Sequence, residues 1–465
     1  MKIARIALAG LGLVAVATVA GIAYAWEPAI DRVERPAPAA FDGRLVAEGA
    51  KLAAVGNCIA CHTVPGGKSF AGGLAIPTPF GTIHSSNITP DEETGIGRWS
   101  EAAFVRSMRR GVDREGNHLY PAFPYDHYTL VSDTDNRALY AYLMTRTPVR
   151  ATPPPNDLPF PLNIRMSVAG WKLLFFREGE FRPDPTKSER VNRGAYLAEG
   201  LAHCGACHTP RNILGAEKKA EHWAGGEAEG WNSYAINRDS HAPIPWNSDA
   251  LAHYLRHGWH AEHGVARGPM AEVTGNLAGL PDADVDAMAA YAADVMGPPA
   301  PERLAAAEGL RRYVAGGGGP GGAAPAGDSL TAAVQPASTE RGEAVYAAAC
   351  ATCHASGRPQ PYGGLDFHLS TAVAAPDPGN IVTVVLHGLP PGDGDYSSVM
   401  PAFAGTLSDA DAVALLAYMR RTFTDKPAWT DLEKLVADTR SGARHVVVRP
   451  ADGIERSPTN VGARD

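Results

Sequence analysis

The pattern Cys-x-x-Cys-His occurs three times in this chain, at residues 58–62, 204–208 and 350–354, and the three copies use all six cysteines. Successive copies are 146 residues apart both times. Two thiols and a histidine at this spacing are the attachment signature of c-type haem. The thiols bond to the porphyrin edge, and the histidine is held against one axial face of the iron. Other readings fit less well. A zinc centre joins two Cys pairs, so three pairs leave one over. A redox dithiol belongs in a βαβ setting, which the flanking sequence lacks. A structural disulfide gives no reason for the histidine. The motifs therefore predict three covalent haems c, on Cys58 and Cys61, Cys204 and Cys207, and Cys350 and Cys353. His62, His208 and His354 are then the proximal ligands.

A length of 465 residues suits about three domains. The formal net charge of −8 tells against a nucleic-acid partner. With 50 glycines, 38 prolines and only 8% aromatic residues, the composition suits small, loop-rich domains whose cores a haem completes. The N-terminus carries Lys2 and Arg5, then an uncharged run from Ile6 to Ala25 that ends in Ala23-Tyr24-Ala25. This is the layout of a secretory signal, and the run is also long enough to anchor in a membrane if uncut. Both readings place the body of the protein outside the cytoplasm, which suits covalent haem attachment.

Each copy repeats one order of parts. A short helical stretch with a glycine precedes the motif: Gly49, Gly194 and Gly342. Glycine there suits a helix that approaches another backbone closely. A polar loop follows, then a cap-like signal before an apolar-periodic helix, at Ser132-Asp133, Pro281-Asp282 and Ser408-Asp409. The predicted fold is mainly α, with three tandem class I cytochrome c domains, loop-rich around covalent haem cores. The predicted boundaries are 1–25 for the signal or anchor, 41–150 for the first domain and 151–186 for an inter-domain segment. The second domain spans 187–300, a Gly/Ala/Pro linker 314–338, the third domain 339–424 and a tail 425–465. The linker predicts a loosely tethered third domain. Trp171 to Phe176 is expected to pack between domains.

The second axial ligand separates electron carriers from haems that bind substrate. Met270, in Gly268-Pro269-Met270, and Met400, in Val399-Met400-Pro401, each lie between a haem motif and a capped helix. A thioether there suits a high-potential electron-transfer haem. The first copy departs from this. Phe123 stands where methionine is expected, and phenylalanine cannot bind iron. Its replacement is His127, nearest the usual position, or Met108 or His118, or else the iron is open.

The chain resembles the three-haem cytochrome c subunits of bacterial membrane-bound dehydrogenases that oxidise alcohols, aldehydes, gluconate and related sugars. The resemblance runs from about Phe41 to Lys434. It rests on Thr78-Pro79-Phe80-Gly81, Asn87-Ile88-Thr89-Pro90-Asp91, Leu119-Tyr120-Pro121-Ala122, Trp171-Lys172-Leu173-Leu174 and the three haem motifs. It implies an electron-transfer subunit with no substrate chemistry of its own. A catalytic partner subunit would supply electrons, and ubiquinone or another respiratory acceptor, such as a terminal oxidase, would take them at the membrane. Phe123 with His127 resembles cytochromes paired with molybdenum hydroxylases of the aldehyde or N-heterocycle type. Such a partner carries molybdopterin and iron–sulfur clusters. The alternative branch pairs with a quinoprotein alcohol or flavoprotein gluconate or sugar dehydrogenase. A haem enzyme using an open iron in the first domain is a further reading.

Overall fold

The computed structural model describes residues 2–316, 336–358, 364–389 and 400–447. Most of the 314–338 linker lies outside these residues. The described residues divide into two compact units: those up to Asp184 with Glu199–His203, and Pro185–Ala198 with those from Cys204 onward. The first unit holds one haem motif and the second holds two. Secondary structure is mainly helical, as the sequence predicts. The described strands form only three two-stranded ribbons, β1–β2 (Ala75–Thr78, Gly81–His84), β3–β4 (Gly226–Ala228, Trp231–Ser233) and β5–β6 (Trp259–His260, Gly264–Val265).

In the first unit, helix α1 (Lys2–Ala25) takes up the N-terminal run. Among the described residues, no helix is long and apolar enough to cross a membrane. The extended segment after α1 is sewn down by two buried arginines. Arg106 Nη1 donates to Pro28 O at 2.6 Å, and Arg114 Nη1 donates to Ile30 O at 3.0 Å. Guanidinium groups suit this role, because their fixed fork of donors can satisfy several carbonyls of an irregular backbone. Asp42 caps α2 (Gly43–Val55), and the single turn α3 (Cys58–Cys61) follows. Ser100 caps α4 (Glu101–Arg110), which ends at Gly111 in a left-handed conformation, φ 58°. The short α5 (Tyr125–Tyr128) leads to α6 (Asp133–Met144), whose cap is Ser132.

Helices α2 and α6 cross where Gly49 meets Ala138. A Cβ on Gly49 would lie 1.9 Å from the Ala138 carbonyl oxygen, so only glycine permits the approach. Leu52, Val55, Leu139 and Tyr142 are buried around the crossing. The segment expected between domains forms α7 (Val168–Phe175), and it packs instead on Tyr125 of the same unit. The ring centroids of Tyr125 and Phe176 are 5.3 Å apart. Tyr125 is fully buried and offers α7 an aromatic face.

The second unit repeats the crossing twice. α8 (Glu189–Ala195) meets α12 (Asp282–Met296) at Gly194, where a Cβ would stand 1.9 Å from Ala287 O. α14 (Pro336–Ala349) meets α18 (Asp409–Phe423) at Gly342, where a Cβ would stand 2.2 Å from Ala414 O. Between these pairs lie α9 (Gly205–His208), α10 (Ser248–His257), α11 (Pro269–Leu277) and α13 (Pro301–Ala315). The third copy adds α15 (Ala351–His354), α16 (Thr371–Ala374) and α17 (Gly379–His387). Its core gathers Tyr346, Val382, Leu386, Leu415, Leu416 and Phe423. Ser408 and Asp411 form a reciprocal capping box at the start of α18.

The loose tether expected of the third copy is not what the second unit shows. Asn232 N donates to Asn380 Oδ1 at 2.8 Å, and Asn380 Nδ2 donates back to Asn232 O at 2.9 Å. Within the predicted 425–465 tail, α19 (Leu432–Ser441) buries Leu432 and Val436. Beyond it Arg444 Nη2 donates to Gly230 O at 2.6 Å, and Trp231 Nε1 donates to Val447 O at 2.9 Å. The C-terminal segment thus ties the second copy to the third by side-chain-to-backbone bonds that leave no mark in composition.

Candidate haem-attachment sites

Each Cys-x-x-Cys-His motif opens a short helical turn just after the glycine-bearing helix. Asn57 takes a left-handed conformation, φ 49°, which turns the chain out of α2 and into α3. None of the six cysteines is in a disulfide, so no such bond competes for them. Burial, reinforced by the neighbouring Cys61, pushes the Cys58 thiol up to about 12. Burial pushes Cys207 and Cys350 up to about 11.

The three histidines share one geometry. His62 Nδ1 donates to Ser86 O at 2.7 Å, His208 Nδ1 to Tyr234 O at 2.8 Å and His354 Nδ1 to Leu365 O at 2.8 Å. A carbonyl only accepts, so Nδ1 carries the proton and Nε2 keeps its lone pair. Burial lowers the pKa of all three rings, which keeps them neutral. A neutral ring, fixed in tautomer and orientation through its far nitrogen, is a competent iron ligand. The third ring is further confined by Gly364, where a Cβ would come within 2.6 Å of His354 Nδ1. The sequence reading missed the three carbonyl partners. No signal pointed to them, because a carbonyl carries no residue identity.

The structure places Phe123 where Met270 stands. α4 and α10 both end in a left-handed glycine, Gly111 and Gly258. Leu119 N donates to Gly111 O, and Ala266 N donates to Gly258 O, each at 2.7 Å. Four residues beyond these anchors come Phe123 and Met270. Met270 is half-buried at the start of α11, and half-buried Met400 packs on the third core, its backbone paired with Leu389.

Of the replacements for the first copy, His118 has both ring nitrogens engaged. Nε2 bonds Ala25 O at 2.8 Å, and Nδ1 bonds Lys172 Nζ at 3.0 Å. Met108 is buried on α4 beside Phe104. His127 is buried on α5, and its Nδ1 donates to Glu199 O at 2.7 Å, the same backbone anchoring that the three motif histidines have. Its neighbour Tyr128 has its hydroxyl pKa raised by burial and by the sulfurs of Cys58 and Cys61 beside it. Trp231 and Arg98 are committed to Val447 O and to Glu92.

The residues fit a buried prosthetic group. Tyr142 Oη and Trp223 Nε1 are buried without a hydrogen-bond partner in the protein. Trp223 lies in the same apolar cluster as Cys204 and Tyr291. Buried orphan donors cost free energy unless something satisfies them, and the acidic edge of a haem would do so.

Residues 46–147 match the family described as Cytochrome c, and residues 337–419 match the family described as cytochrome c oxidase, cbb3-type, subunit III. The chain is 34% identical to the fructose dehydrogenase cytochrome subunit of Gluconobacter japonicus, over 88% of this chain and 86% of that protein. It belongs to the cytochrome c subunits of dehydrogenases. The gluconate 2-dehydrogenase cytochrome c subunit of Pantoea cypripedii is 35% identical over 85% of this chain and 89% of its own length. A nicotinate dehydrogenase subunit of Pseudomonas putida is 44% identical over 93% of this chain. This chain spans only 34% of that protein's length. The chain is accordingly an electron-transfer component that carries covalent haem c.

Proposed function

We propose that this cytochrome subunit holds three haems c and relays electrons from a catalytic dehydrogenase subunit to ubiquinone or another respiratory acceptor, on the periplasmic face of the inner membrane. The observation that carries the reading is the threefold repeat of one arrangement. Each copy has a glycine-mediated helix crossing, two cysteines outside any disulfide and a histidine oriented by a backbone carbonyl. The three thiol pairs hold the haems, and His62, His208 and His354 bind from the proximal side. Met270 and Met400 serve as distal ligands in the second and third copies, and His127 in the first. Bound there, haem supplies a one-electron iron couple whose potential the axial ligands set. The chain's own residues keep the proximal rings neutral and orient them. The predicted signal run supports export.

The partner is a molybdenum-dependent dehydrogenase of the aldehyde or N-heterocycle type, with molybdopterin and iron–sulfur clusters. Two observations support this: the Phe123 and His127 pattern, and 44% identity to a component of an enzyme named for nicotinate, an N-heterocycle. The second reading pairs the subunit with a flavoprotein or quinoprotein. It is favoured by the fructose and gluconate relatives, of whose lengths this chain covers 86% and 89%. Purification from membranes with the partner attached separates the two. Molybdenum and iron–sulfur clusters in the partner support the first reading, and flavin or pyrroloquinoline quinone the second.

A further inference from the structure

The hairpin that runs into Met270 carries three metal-ligating side chains that the haem sites do not use. β5 and β6 pair Trp259 with Val265 and His260 with Gly264. The turn between them brings His260, Glu262 and His263 together, with one donor atom from each within 4.8 Å of the others. His263 is only 8% exposed, yet neither of its ring nitrogens has a hydrogen-bond partner. A buried imidazole with both nitrogens unpaired is costly unless a ligand takes its lone pair. Its ring is stacked on Trp246 with centroids 3.5 Å apart, which fixes its plane.

The protonation states also suit a cation. Glu262 accepts from Arg311 Nε at 2.5 Å and from Nη2 at 2.9 Å, and these bonds hold its carboxyl below the usual carboxylate range. The carboxylate retains lone pairs beyond the two that Arg311 takes. Burial lowers His260 and His263, so both rings are neutral. Neutral imidazoles and an ionised carboxylate are the forms a divalent transition metal requires. Two histidines and one glutamate, completed by water, are a donor set that zinc takes. His260 and Glu262 are half-exposed, which leaves a way in.

We propose that His260, Glu262 and His263 bind one divalent transition-metal ion of the zinc class, separate from the haem irons. Binding closes the three donors to about 2.0–2.2 Å from the ion and staples the hairpin through which the chain reaches Met270. Arg311 orients the carboxylate from behind, as groups outside the ligand set commonly do. The ion site does not depend on which dehydrogenase the cytochrome serves.

The test uses the haem-loaded protein, stripped with a chelator and titrated with zinc chloride by calorimetry. Bound zinc is counted by mass spectrometry apart from iron. The expected result is one zinc per chain, with a zinc-edge X-ray absorption shell of nitrogen and oxygen at about 2.0–2.2 Å. His263→Ala should weaken binding by about 100-fold and Glu262→Gln by about 10-fold, with haem content unchanged. The double variant His253→Ala, His257→Ala removes a neighbouring imidazole pair on α10, whose centroids are 4.4 Å apart, and should bind zinc as the parent does. The proposal is overturned if the parent takes up no more zinc than His263→Ala, or if the double variant alone loses the ion. Should His263→Ala fail to retain haem, Glu262→Gln decides, and unchanged affinity there overturns the proposal.

Discussion

The glycine crossings give the sharpest stability prediction, because the obstacle they avoid is backbone. In Gly49→Ala the new methyl would sit 1.9 Å from Ala138 O and 2.7 Å from Tyr142 Cβ. Ordinary contact needs about 3.5 Å, so α2 and α6 must part by more than an ångström. A carbonyl inside a helix cannot swing aside as a side-chain tip can. The cost should therefore reach the upper end of the usual overpacking range, about 3 kcal/mol. For a unit of this size about 1 kcal/mol moves Tm by about 2–4 °C, which predicts a loss of about 6–12 °C. The assay is thermal unfolding of the haem-loaded protein followed by circular dichroism, with haem content measured alongside. Gly170→Ala in α7 is the control, since a Cβ there meets nothing within 4 Å. It should be neutral or stabilising by up to about 1 kcal/mol, because glycine disfavours helix. A Gly49→Ala protein melting within about 2 °C of its parent would refute the reasoning.

Met270→Ala and Met400→Ala should each lower the potential of one haem by on the order of 100 mV, within the roughly 0.8 V that axial ligands span, at unchanged haem content. Redox titration checks this, and potentials that stay put in both variants sink the assignment. His127→Ala should let the ferrous protein bind carbon monoxide at one haem, while His118→Ala should not, because both His118 nitrogens are already bonded to Ala25 and Lys172. Lys172 gives a pH signature: burial pulls its ammonium from 10.5 down to about 7. The unfolded chain then binds more protons than the folded one between about pH 7 and 10.5, so this group's contribution to stability rises with pH across that window. Chemical denaturation at pH 7 and pH 9.5 should show the rise in the parent and a smaller one in Lys172→Met. Equal slopes would mean that Lys172 keeps its proton in the fold.

Local features were legible in the sequence because their physics is local. The three motifs, the caps at Ser132 and Ser408 and the crossing glycines all act within a few residues or through a single missing methyl. Phe123 and Met270 stand four residues beyond matching anchors at Gly111 and Gly258, a spacing that can be counted along the chain. The seam between the second and third copies was not legible. Asn232, Asn380, Arg444 and Trp231 join irregular backbone across 148 to 216 residues of sequence, and no periodicity marks such bonds. The Gly/Ala/Pro linker invited a loose third copy, but a linker's composition says nothing about what the segments beyond it bond to. The carbonyls of Ser86, Tyr234 and Leu365, which orient the proximal rings, were hidden for the same reason.

The most direct test of the central claim is a count of covalent haem. Intact mass spectrometry and the pyridine haemochrome of the purified protein should give three haems c per chain. Replacing the cysteine pair of any one motif by alanine should leave two. A parent chain with two haems or fewer, or a motif whose loss changes nothing, would contradict the threefold relay.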